Sequence, residues 1–274
     1  MDFGNAEGTY PIAPSAFQIW PELSKGILLN ATPNIFMGSK IRKLMSRIPA
    51  LRWRRVFCTL VIVCLCWMHL SCQSTSTRLH HPEAAEMNRR SPGVFDVQME
   101  TTKGEMVIEI HREWSPRGAD RFYNLVRAGY YDDSRFYRVI QGKWAQFGIN
   151  GDPKISNAWR VRAFPDDPPV QSNRRGTIAF AFAVPNGRTT QVFINLKDNS
   201  ATHDGEFVPF GKIIRGLEVA DALNSEYGET AGSGIRSGKQ VPLFDQGNAY
   251  LDKNFPRLDR ILRARIVARR NASK

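Results

Sequence analysis

The sequence predicts a mainly β domain over residues 94–270, with eight antiparallel strands closed into a barrel and capped by two α-helices. Two observations carry that expectation. Apolar and polar residues alternate with a period of two in a series of short segments, whereas helical spacing recurs in just two. In addition, the chain has no internal repeat and no alternation of strand-like with helix-like segments, which argues against a parallel sheet.

The first pair of strands is a hairpin. Val97, Met99 and Thr101 alternate with Asp96, Gln98 and Glu100, and Thr102-Lys103-Gly104 supplies the turn. Met106, Ile108 and Ile110 then alternate with Glu105, Val107, Glu109 and His111, so one face is buried and the other wet. Ser115-Pro116 opens a helix, with serine as N-cap and proline at the first helical position. Ala119, Phe122, Leu125 and Val126 follow at helical spacing, and Gly129 ends the run. Strand-like runs come next at 135–140, 144–148, 177–183, 191–196 and 207–214. A second helix is expected over 217–224, with Val219, Ala220 and Leu223 on one face, and the glycine-rich stretch 228–238 reads as loop. A last strand is expected at 261–268, with Leu262, Ala264, Ile266 and Ala268 on one face and Arg263, Arg265 and Val267 on the other. Arginines on an outer strand discourage edge pairing.

A hydrophobic content of 42% is enough to bury a core, so wholesale disorder is excluded. The net charge of +12 points at first to nucleic acid or an anionic surface. Its distribution argues otherwise. Residues 1–72 carry +5 and residues 256–274 carry +6, which leaves +1 on residues 73–255. The body is nearly neutral, so no nucleic-acid partner is expected. Cys58, Cys64, Cys66 and Cys72 all lie in or at the end of one apolar stretch, so the folded domain has no disulfide, thiolate metal site or cysteine nucleophile.

That stretch, VFCTLVIVCLCWMHL at residues 56–70, follows Arg47, Arg52, Arg54 and Arg55, the order of a basic flank and apolar core in an export signal. It is short against the roughly 20 residues of a membrane-spanning helix. Ser71-Cys72 and the Ser/Thr-rich run behind it make Cys72 a lipidation candidate, although His69 stands where lipoprotein signals prefer leucine. Lipidation and an uncleaved anchor are both open. The chain thus divides into four parts. Residues 1–44 are disordered or upstream of a start at Met45 or Met37, and 45–72 are a signal peptide or membrane anchor. Residues 73–93 are a solvated linker, and 94–270 are the folded domain. The expected setting is extracytoplasmic, in the periplasm or cell envelope, and the expected state is monomeric.

Conventional catalytic sets are missing from the pattern. The five histidines never fall at metal-ligand spacing, and no glycine-rich phosphate loop follows a strand. Asp132-Asp133 and Asp166-Asp167 sit in turn-like contexts. What stands out is RFYRVIQGKWAQFGINGDP at 135–153. On a strand, Phe136, Arg138 and Ile140 share one face and Tyr137 and Val139 the other. A cation among apolar residues is costly to bury. Such an arginine either works at a site, reaches water at a barrel rim or pairs with a carboxylate.

This segment resembles the central signature of the cyclophilins, in which a Phe-His-Arg-Val-Ile-like strand precedes Gly and then Gln-x-Gly. Arg175-Gly176-Thr177-Ile178-Ala179-Phe180-Ala181, Gln191-Val192-Phe193-Ile194-Asn195 and Val208-Pro209-Phe210-Gly211-Lys212 resemble the family's later blocks, in order, over about residues 94–223. The tail, with Gln246-Gly247-Asn248-Ala249-Tyr250, is similar to a bacterial branch. The resemblance implies a peptidyl-prolyl cis–trans isomerase that acts on proline-containing polypeptides, needs no metal or cofactor and assists the folding of exported proteins. The alternative is a catalytically weak chaperone or proline-peptide-binding module of the same fold. By resemblance Arg138 is the catalytic arginine, and Gln146 binds substrate and orients it. Phe193 is the floor of the proline pocket and Trp144 its wall. The backbone at Ala181 and Phe182 pairs with the substrate chain, Gln191 lines the neighbouring groove, and Phe136 and Phe207 belong to the substrate-binding set. The chain departs from the family pattern at Tyr137 (often His, expected to face away), Lys143 (Phe), Phe147 (Gly) and Phe182 (Asn).

Overall fold

The computed structural model describes residues 78–234 and 237–270. Residues 1–44, expected to be disordered or upstream of the start, and the expected signal or anchor at 45–72, with Cys72, lie outside the described residues. Among the described residues no helix is long and apolar enough to cross a membrane.

Eight strands form one antiparallel sheet: β1 (Val94–Thr101), β2 (Gly104–His111), β3 (Arg138–Ile140), β4 (Trp144–Phe147), β5 (Thr177–Phe180), β6 (Val192–Asn195), β7 (Pro209–Arg215) and β8 (Ile261–Arg270). They lie in the order β3-β4-β6-β5-β7-β2-β1-β8. The hairpin is paired as its alternation predicts, with Val97 opposite Ile108 and Met99 opposite Met106, and all four side chains fully buried. Six α-helices are described, where two were expected. These are α1 (Pro116–Arg127), α2 (Pro153–Arg160), α3 (Ser200–His203), α4 (Leu217–Asp221), α5 (Val241–Gln246) and α6 (Asn248–Asn254). α2 begins at Asp152, whose carboxylate accepts the Lys154 N–H at 2.8 Å, with Pro153 in the first turn.

The barrel expected to close is an open half-barrel. The segments leading into its end strands, β3 and β8, meet at an isolated bridge between Arg135 and Arg260. There the Phe136 N–H donates to the Asp259 carbonyl and the Ile261 N–H to the Ser134 carbonyl, both at 2.9 Å. Closure requires a hydrogen-bonded ladder all the way round, and β3 continues for three residues only. Tyr137, Ile149, Leu243, Phe244 and Leu251 form an apolar cluster separate from the main core. The buried Arg135 guanidinium grips Asp252 of α6 through Nε and Nη2 at 2.8–3.1 Å.

Three other expectations are corrected. Ser115 does not cap α1 through its own hydroxyl. It donates to Asp167 Oδ2 at 2.6 Å, and the same oxygen accepts the N–H groups of Arg117 (2.8 Å) and Gly118 (3.1 Å). The cap is therefore supplied from about fifty residues away, where a turn aspartate was expected. From Leu79 onward, the segment read as a solvated linker belongs to the domain. Leu79 and Met87 are buried in the main core, and the Trp159 indole donates to the Leu79 carbonyl at 2.9 Å. On β8 the expected inward set holds at Ala264, Ile266 and Ala268, but at the start of the strand Ile261 is fully buried and Leu262 is exposed. Register shifts opposite Asp96/Val97 and Glu100/Thr101 insert extra residues and reset which side chains face the core. The outward arginines are paired, Arg263 with Glu100, Arg265 with Asp132 and Arg270 with Asp96 and Glu109.

Candidate active site

The site grows out of strand register. β3 and β4 pair Arg138 with Gln146 and Ile140 with Trp144, and β4 and β6 pair Gln146 with Phe193. Directly opposed residues share a face, so Arg138, Gln146 and Phe193 stand in one row across three strands, with Trp144 one pleat along. Loops after β5 and around α3 bring Ala181, Phe182, His203 and Phe207 to the same place. The result is a cleft of about 230 Å³ whose lining includes all of these residues and Gly234.

Its floor and walls are aromatic. Phe193 is 5% exposed, with the Phe207 ring edge-on at 5.1 Å and His203 at 5.6 Å. Phe207 also meets Phe182 at 5.0 Å, and the Arg188 guanidinium lies over the other residue of that pair, Phe182, at 4.3 Å. Burial holds the His203 imidazole below its ordinary value of 6.5, opposed by the nearby Glu206 and Asp204 carboxylates. The ring is therefore mainly neutral at pH 7 and adds an apolar surface rather than a charge. The Trp144 indole N–H is buried without an acceptor among the described residues.

Among the described residues, one cation stands in this cleft. Arg138 Nη1 donates to Gln146 Oε1 at 3.2 Å, and the guanidinium lies 5.1 Å from the centre of the Trp144 ring. Its Nε donates to Glu229 Oε1 at 3.1 Å, and Nη2 donates to the same oxygen. Gln146 passes the chain on, its Nε2 donating to Gln191 Oε1 at 2.9 Å. Gln191 Nε2 donates to Gln240 Oε1 at 3.0 Å. A second groove, of about 220 Å³, lies beyond these amides and is lined by Gln191, Gln240, Thr189, Ala183 and Phe244 among others.

The structure brings together Arg138, Gln146, Trp144, Ala181, Phe182, Phe193 and Phe207, and it puts Gln191 in the second groove. Phe136 is not with them. It is fully buried in the main core, 5.3 Å from Phe147, because it precedes β3 and the strand alternation does not extend back to it. Phe147, unusual for its position, fills the core between Phe136 and Tyr131. Tyr137 does not turn away from the site, since its hydroxyl donates to Gln191 Oε1 at 2.6 Å. The Ala181 N–H is committed to the Gln191 carbonyl at 2.9 Å, so it is not a donor for a substrate backbone. Sequence reasoning missed Glu229 and Gln240. The one available signal was the need of a half-buried arginine for a carboxylate.

The chain is similar to known proteins. Residues 96–242 match the family model described as cyclophilin type peptidyl-prolyl cis–trans isomerase/CLD. A peptidyl-prolyl cis–trans isomerase of Schizosaccharomyces pombe is 32% identical over 134 residues, covering 47% of this chain and 84% of the yeast protein. Peptidyl-prolyl cis–trans isomerase A of Dickeya dadantii is 30% identical over 148 residues, covering 50% of this chain and 74% of its own. Among solved structures, a cyclophilin-type isomerase of Cryptosporidium parvum aligns with a TM-score of 0.48 and 23% identity, over 65% of this chain and 99% of that one. With more than half of its length matched by the family model, the chain belongs to the cyclophilin-type peptidyl-prolyl cis–trans isomerase family.

Proposed function

We propose that this chain accelerates rotation about Xaa-Pro peptide bonds, with Arg138 as the group that lowers the barrier. The observation that carries the reading is the juxtaposition of an oriented guanidinium and an apolar floor, Phe193, in one cleft. Resonance in the peptide bond sets a barrier of about 18–20 kcal/mol. During rotation the prolyl nitrogen leaves conjugation, becomes pyramidal and gains a lone pair that can accept a hydrogen bond. A guanidinium is always charged and presents several donors in a fixed plane. Aimed at that nitrogen, it stabilises the twisted state more than either planar isomer, which is the requirement for catalysis. No bond is made or broken, so neither nucleophile nor metal is needed.

The remaining residues serve orientation. Phe193 and Phe207, with the neutral His203, receive the proline ring. Gln146 holds Arg138, and Trp144 backs the guanidinium plane. The Ala181–Phe182 stretch flanks the substrate chain, and Gln191 faces the adjoining groove. A protease-coupled assay on an Ala-Pro tetrapeptide tests the reading. The protein is expected to shorten cis-to-trans relaxation from the uncatalysed tens to hundreds of seconds. Relaxation unchanged at micromolar protein, with the peptide still bound, would leave a proline-peptide-binding module in place of an enzyme.

The setting we propose is extracytoplasmic, with the chain held at the membrane by residues 45–72 and acting on exported polypeptides. The basic flank, the apolar run at 56–70 and Cys72 support it. Mass spectrometry of the mature protein from a membrane fraction should find either an acylated N-terminal Cys72 or the intact apolar run. Soluble protein starting downstream of Cys72 without acylation would refute anchoring.

A further inference from the structure

We propose that Glu229 is a positioning residue for Arg138, and that Glu229 and Ser233, in the loop after α4, set the direction of the whole hydrogen-bonded chain behind the catalytic arginine. The inference rests on Arg138 being the donor to the prolyl nitrogen.

The loop touches the site at both ends of that chain. At one end, Glu229 Oε1 takes the Nε and Nη2 edge of the guanidinium. At the other, Gln240 Nε2 donates to the Ser233 carbonyl at 2.8 Å, and the Ser233 hydroxyl reaches Glu229 Oε2 at 3.4 Å. The contacts therefore form a ring: Arg138, Gln146, Gln191, Gln240, Ser233, Glu229 and back to Arg138. Gly234, next in the loop, passes so close that a Cβ there would lie 3.8 Å from Arg138 Nη1.

The direction of the amides follows from the two ends. A backbone carbonyl can only accept and a guanidinium can only donate. Gln240 must therefore turn its nitrogen to Ser233 and its oxygen to Gln191. Gln191 must then offer its oxygen to Gln146, which is left with its own oxygen for Arg138. Gln191 and Gln240 are 3% exposed, as is Gln146, so water offers these amides little alternative. Gln146 holds the guanidinium at Nη1, and the group lies 5.1 Å from the centre of the Trp144 ring. Rotation about that one hydrogen bond is stopped by a second anchor, and Glu229 is that anchor. Of the five guanidinium N–H groups, three have partners among the described residues, so two remain for a substrate. The hydrogen bond from Arg138 also keeps the Glu229 carboxyl below its ordinary value, so the anchor is ionised at neutral pH.

The test compares wild type, Glu229→Ala and Glu229→Gln in steady-state isomerisation of an Ala-Pro tetrapeptide, with thermal unfolding of each protein. For Glu229→Ala we expect kcat to fall about tenfold, with KM within twofold and the unfolding midpoint unchanged, because the arginine is present but misdirected. Glu229→Gln keeps an oxygen for the guanidinium at the same volume, and should recover at least threefold of the lost kcat. The proposal is overturned if Glu229→Ala keeps or raises kcat, if the loss lies in KM alone, or if Glu229→Gln is as impaired as alanine. An inactive wild type would instead overturn the isomerase reading itself, so the two failures are distinguishable.

Discussion

Replacing Arg138 with alanine is expected to lower kcat/KM for prolyl isomerisation by on the order of 100- to 1,000-fold, the usual effect of removing one preorganised transition-state donor. The loss should fall mainly on kcat. The proposed proline pocket is lined by Phe193, Phe207 and His203, none of which hydrogen-bonds Arg138, so the ground-state peptide should still bind. Folding should survive as well. Arg138 is partly exposed, and the carboxylate it leaves behind, Glu229, is 47% exposed and can be hydrated. Arg138→Lys keeps the charge but not the planar fork, and is expected to recover little. The measurement is the protease-coupled rate over a range of peptide concentrations, with a circular dichroism spectrum for each variant. An alanine variant within threefold of wild type would remove Arg138 from the chemistry.

Replacing Asp167 with alanine is expected to cost about 2–4 kcal/mol of unfolding free energy, or roughly 5–15 °C in melting temperature. Its side chain is 2% exposed, and both oxygens are used. Oδ2 accepts from the Ser115 hydroxyl and from the Arg117 and Gly118 N–H groups, while Oδ1 accepts from Arg117 Nη1 at 3.1 Å. Without it, two N–H groups at the start of α1 and a buried hydroxyl lose their acceptor, in the turn where the helix dipole favours an anion. Asp167→Asn keeps one oxygen acceptor and should lose about half as much. Denaturant unfolding with an unchanged slope is the appropriate readout. A midpoint equal to that of wild type would show that Asp167 does not hold the helix start.

These two residues differ in how visible they were. Arg138 stands in a strand pattern where a cation is out of place, and the ordered blocks around it mark the fold and the reaction together. Asp167 looked like one more turn aspartate, because nothing near it in the chain points to a helix 52 residues away. Glu229 was hidden for the same reason, lying in a glycine-rich loop 91 residues from the arginine it grips.

The sequence by itself determined the strands of the hairpin, the helix over Pro116–Arg127 and the family, because each rests on spacing within one short segment or on contiguous motifs. Tertiary structure alone decided that the barrel stays open beside the Arg135–Arg260 bridge, that Phe136 is core and that β8 bulges, turning Leu262 outward. It also decided how a loop closes a polar ring behind the arginine. The physical reason is common to all of these. Alternation reports which side of its own strand a residue faces, whereas seams, bulges, distant caps and ion pairs depend on which segments meet, and that is settled only when the whole chain has packed.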